Sequence, residues 1–161
     1  MKTKLQFIAS IFAAIVLLMG VEAQAQELEG KWVLVKRVLP DGTVLTPPTV
    51  QGQFSVHKGL TQLVVYWPMP NGNPASLSSI SQWEWSYAHV TVTPMLRIFD
   101  DGSGKPPAYA VGGSAKSSPL TRSGNVISYQ HPFDPPFNVS DGEKLTAIFE
   151  GVFVDHWEKV H

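Results

Sequence analysis

Six turn dipeptides constrain this chain more than any other feature. Asp41-Gly42, Lys58-Gly59, Asn71-Gly72, Asp101-Gly102, Ser123-Gly124 and Asp141-Gly142 recur along it. Each is of a kind, or close to one, that reverses a chain between short strands. Between them lie runs rich in Val, Ile, Thr, Trp, Tyr and Phe, which fit a pleated, half-buried surface. After residue 25 no stretch keeps a helical period for three turns without meeting Gly or Pro. The 13 prolines reinforce this, since the ring is barred from helix interiors. The chain is expected to be all-β.

The runs predict strands near Gly30–Leu39, Gly52–His57, Leu60–Tyr66, Gln82–Thr93, Leu96–Phe99, Tyr109–Val111, Val126–Gln130, Lys144–Phe149 and Val152–Val160. Eight or nine strands at this spacing make a closed barrel or a sandwich. Segments 68–81, 103–107 and 131–140 read as loops. The long run Gln82–Thr93 is the most informative. Trp83, Trp85, Tyr87, His89, Thr91 and Thr93 share one face, but the apolar side changes over to Val90 and Val92 in its second half. A bulge near Tyr87–His89 would reconcile the halves, and bulges bend strands around barrel corners.

Residues 1–25 read as a secretory signal. Lys2 and Lys4 precede an apolar run of 13 positions from Phe7 to Met19, and the small-x-small triplet Ala23-Gln24-Ala25 follows. The run is short against the ~20 residues of a membrane span. Cleavage after Ala25 is expected, leaving residues 26–161 as one secreted or periplasmic domain with no stable membrane insertion. A net charge of −1 offers no cationic excess for nucleic acid, and zero cysteines exclude disulfides and thiolate metal sites.

The domain opens with Gly30-Lys31-Trp32 and ends with Trp157-Glu158-Lys159-Val160. A Gly-x-Trp in the first strand, paired with such a last strand, resembles lipocalins and their calycin relatives, in particular bacterial lipocalin-like domains. The resemblance implies a single antiparallel up-and-down barrel. Trp32 would plug its closed end, Lys159 would cover that ring where the family usually places arginine, and Gly30 would allow close backbone approach. Thr-Asp-Tyr at a middle turn is missing, so the chain resembles an outlying lipocalin-like domain. The resemblance also implies an interior cavity for one small, largely apolar molecule.

Candidate ligand-lining residues are Trp67, Trp83, Trp85, Tyr87 and His89, with His89 supplying a polar contact. No cofactor and no metal are expected, because none of the five histidines has ligand spacing. An alternative is an enzyme on the same barrel, an isomerase, cyclase or hydrolase using His89, or His156 with Glu158 two positions on. A third reading is an interaction module with a filled core, presenting Trp67 and segment 68–81.

Overall fold

Apolar side chains at every second position of a strand must be covered on one face, and an antiparallel meander covers them by closing on itself. The computed structural model of this protein describes residues 28–161, so the expected signal at 1–25 lies outside the described residues. Twelve strands form: β1 (Gly30–Val38), β2 (Val44–Leu45), β3 (Gln51–His57), β4 (Leu60–Pro68), β5 (Pro74–Trp85), β6 (His89–Asp100), β7 (Ala108–Val111), β8 (Lys116–Ser123), β9 (Val126–Gln130), β10 (Phe137–Ser140), β11 (Lys144–Phe149) and β12 (Phe153–Val160). Among the described residues there is no helix.

Ten of these strands make a closed antiparallel wall in the order β1, β3, β4, β5, β6, β8, β9, β10, β11, β12, and β12 returns to β1. The other two add to it from outside: β2 pairs the end of β1, and β7 pairs the second half of β6. The expected count of eight or nine strands is therefore corrected to ten in the wall. The expected strand 82–93 does not exist as one element. The chain reverses at Ser86–Ala88, and Trp83 and Trp85 of β5 face Val92 and Val90 of β6 across the hairpin. That reversal is why the apolar side changes over. Segment 74–81, read as loop, is the first part of β5, and β8 and β10 run through stretches too rich in Ser, Pro and Asn to show an apolar alternation.

One end of the barrel is sealed. Trp32 is fully buried, and its indole N–H donates to the Leu28 carbonyl at 3.0 Å. Lys159, its register partner on β12, places Nζ 5.6 Å from the Trp32 ring centroid. Gly30 holds a φ of +123°, and a Cβ there would stand 2.8 Å from the Lys159 side chain. Around this plug pack Leu34, Phe54, Val56, Trp83, Val90, Val92, Leu120, Ile127, Tyr129, Leu145 and Trp157.

Gly52 on β3 shows how tight this half is. A Cβ at that position would lie 2.6 Å from Trp157 Cη2 and 3.0 Å from Leu34 Cβ. The barrel accommodates the Trp157 ring only because the facing residue has no side chain. Gly52→Ala is expected to destabilise the protein by about 1–3 kcal/mol through overpacking. Urea unfolding monitored by far-UV circular dichroism measures this, and an unchanged midpoint would contradict the packing.

Candidate functional site

Strand register divides the inner wall into two unlike halves. Toward the sealed end the inward side chains form a continuous aromatic cluster. The Trp83 ring lies 5.9 Å from Phe54, 5.3 Å from Trp85, 6.0 Å from Tyr129 and 5.2 Å from the His131 ring. Burial drives the Tyr129 phenol far above its ordinary range. The Trp85 indole N–H is buried without a hydrogen-bond partner, so it adds a desolvation cost to a packed cluster.

Toward the other end the inner wall is open. Trp67 on β4 and Phe99 on β6 point inward from strands flanking β5 and stack at 6.3 Å. Although Phe99 faces the barrel axis, it remains 39 % exposed. Phe149 and Phe153 meet edge to face at 5.6 Å across the β11–β12 hairpin. Leu63, Leu77, Ser79 and Ser81 face inward at mid-barrel and are only half-buried. Inward side chains that stay accessible in a closed barrel border empty space.

Two ion pairs frame that space. Arg37 and Asp155 are register partners on β1 and β12, buried and joined by Nε–Oδ1 at 2.6 Å and Nη2–Oδ2 at 2.7 Å. The guanidinium also lies 4.0 Å from the Phe153 centroid and 5.4 Å from that of Trp67. The second pair links Arg97, which faces inward from β6, to Asp134 in the β9–β10 loop, with Nη1 and Oδ1 at 2.8 Å. Asp134 Oδ1 nonetheless has no hydrogen-bond partner, so this contact is ionic without hydrogen-bond alignment.

That loop is held by His131. Its Nδ1 accepts from the backbone N–H of Phe133 at 3.2 Å and of Asp134 at 3.0 Å, in the manner of an Asx turn. Nδ1 must be unprotonated to do so. Lys116 of β8 reaches over the same loop, with Nζ 4.7 Å from the Phe133 centroid.

The expected ligand-lining set is dispersed. Trp67 lines the open half, while Trp83 and Trp85 belong to the packed cluster. Tyr87, at 71 % exposure, and His89 sit outside the wall at the β5–β6 turn of the sealed end. The His89 backbone there exchanges hydrogen bonds with Ser86. His156 faces outward with Glu158 in a groove of about 170 Å³ shared with Lys36 and Lys144. Burial and Lys36 lower its pKa against the opposing pull of Asp155. A larger groove of about 370 Å³ runs along the rim between Pro48, Gln51, Tyr66, Trp67 and Pro74. Among the described residues no three His, Asp or Glu side chains gather as a metal site requires. Arg97, Phe99, Phe149, Phe153 and the inner serines were missed. The serines lie in the run Ser76–Ser81, which shows no apolar alternation to mark a strand. Compared with family models, curated proteins and solved structures, the chain gives no match.

Breaking the seam pair should be costly. Asp155→Ala leaves a buried guanidinium unpaired and is expected to cost about 3–5 kcal/mol, whereas Arg37→Met with Asp155→Leu should cost clearly less. Equal losses in denaturant unfolding would contradict the assignment.

Acid should loosen the β9–β10 loop. Burial holds the His131 imidazole below its ordinary range, opposed by Asp134 and reinforced by Arg97. Below the ordinary value of 6.5 the unfolded chain binds a proton that the native state does not. Stability from this group is therefore present above that pH and lost as pH falls. The melting temperature should drop between about pH 7.5 and about pH 5.5, and His131→Asn, which retains an acceptor, should flatten that drop. Parallel pH profiles for the two proteins would count against it.

Proposed function

We propose that the chain is an exported lipocalin-like protein of the calycin type that binds one small, largely apolar molecule inside the open half of its barrel. Residues 1–25 are its secretory signal on this reading, and its setting is secreted or periplasmic. The observation that carries the proposal is the accessibility of inward-facing Phe99, together with half-buried Trp67, Leu63 and Leu77 on the same inner wall. Apolar surface left unburied inside a closed barrel is paid back only when an apolar guest fills the space. The plug of Trp32 under Lys159, with Gly30 beside it, supports the calycin-type reading.

The binding site on this reading differs from the aromatic face of 82–93. Its walls are Trp67, Phe99, Phe149 and Phe153, and the Trp83 cluster lies beneath them. Tyr87 and His89 take no part.

Titration with phenylnaphthylamine, a neutral dye that brightens in apolar surroundings, tests the proposal. One dye should bind per chain, and Trp67→Ala should weaken it by about tenfold, or ~1.4 kcal/mol. Trp85→Phe, which removes the orphaned indole N–H from the packed cluster, should leave the dye affinity unchanged. Absence of binding, or equal affinity in wild type and Trp67→Ala, would overturn the assignment.

A further inference from the structure

Empty barrels select guests by what their walls leave unsatisfied, and here the unsatisfied chemistry is cationic. Facing the open half are three basic side chains, Arg37 on β1, Arg97 on β6 and Lys116 on β8. Among the described residues two acidic groups answer them: Asp155, committed to Arg37 through two short hydrogen bonds, and Asp134. The Arg37 guanidinium is thus paired through two donors and buried. Arg97 differs on both counts. Its side chain is 42 % exposed, and its one contact with Asp134 lacks hydrogen-bond alignment.

The neighbours of Arg97 supply further donors. Ser79 on β5 is its direct register partner, and Ser81 follows on the same inward face. Directly opposed residues of an antiparallel pair stand within about 5 Å at Cβ, so Ser79 lies beside the base of the Arg97 side chain. Both serines are half-buried, and among the described residues neither hydroxyl is tied into a hydrogen bond within the protein. Leu77 and Phe99 lie one pair further toward the rim, and Leu63 lies beside Ser79 on β4. A strip of open donors therefore crosses an otherwise apolar inner wall.

We propose that the guest is an amphipathic anion, an apolar body bearing a carboxylate, sulfonate or similar group, and that Arg97 with Ser79 and Ser81 seats that group. The inference rests on the binding function proposed above and adds the guest's charge and its position. An anion engages the planar guanidinium through paired N–H donors, which Asp134 does not occupy. Asp134 competes for the same charge from the loop. Lys116, the third base, adds to the local field.

Two dyes with the same ring system separate the outcomes: anilinonaphthalene sulfonate, which is anionic, and phenylnaphthylamine, which is neutral. The wild-type protein should bind the anionic dye at least tenfold tighter, one per chain, with each dye displacing the other. Arg97→Gln should abolish that preference, and Arg97→Lys should restore part of it. Asp134→Asn should tighten the anionic dye alone. Equal wild-type affinities, or a preference that survives Arg97→Gln, overturn the anion site while leaving the apolar cavity standing. Failure of both dyes to bind overturns the cavity and the anion site together.

Discussion

The seam between β1 and β12 is the contact on which the rest of this molecule depends. A sheet of ten strands has two edges unless its first and last strands pair, and here that pairing runs from Lys31↔Val160 to Val38↔Val154. It is clamped at both ends by different physics. At the sealed end an ammonium lies over a fully buried indole, and at the open end Arg37 meets Asp155 in a bidentate pair. A bulge between Leu34 and Lys36 makes both clamps possible. Strict alternation from Trp32 and Leu34 would turn residue 36 inward and Arg37 out to water. The extra residue reverses that parity and aims the guanidinium at Asp155, Phe153 and Trp67. A buried ion pair contributes little net stability against an apolar replacement, but removing one partner is costly. Its value here is placement, because the aromatic wall of the open half is stacked on it.

From that seam follows the division of labour inside the barrel. The sealed half is filled by side chains, to the point that Gly52 is required opposite Trp157. The open half spends its inward positions on small or polar residues, Ala75, Ser79, Ser81 and Ala147, between aromatic ones. The β9–β10 loop then covers the side where β9 and β10 are too short to reach the rim. His131 holds its turn and Asp134 ties it to Arg97.

Much of this was legible beforehand. The turn dipeptides mark reversals, and each of their six glycines takes a positive φ. β9 and β11 match the expected strands residue for residue, and β3, β4, β7 and β12 differ by one or two positions at an end. The Trp32–Lys159 contact was anticipated from the ends of the domain. The missed strands share one cause. β5 opens Pro-Ala-Ser-Leu-Ser-Ser-Ile-Ser and β8 reads Lys-Ser-Ser-Pro-Leu-Thr-Arg-Ser, so an apolar alternation is absent where the wall borders a hollow. Periodicity detects strands that bury one face, and these do so only in part. The same serines that hid β5 define the inner wall beside Arg97. The turn at Ser86–Ala88 was hidden differently, by Trp and Val on either side of a reversal that carries neither Gly nor Pro.

Nearly every strand pairs with one close to it along the chain, and the seam alone joins residues as far apart as Arg37 and Asp155, 118 positions away. On a ribosome, where the chain emerges from its N-terminal side, β1 appears with one partner strand soon available and the other still unmade. The β12 partners of Trp32 and Leu34, Lys159 and Trp157, are made only after ten further strands. In the closed barrel Lys31 and Lys36 lie on the edge of β1 that β12 covers. Closure therefore joins the two parts of the described chain that lie furthest apart in sequence.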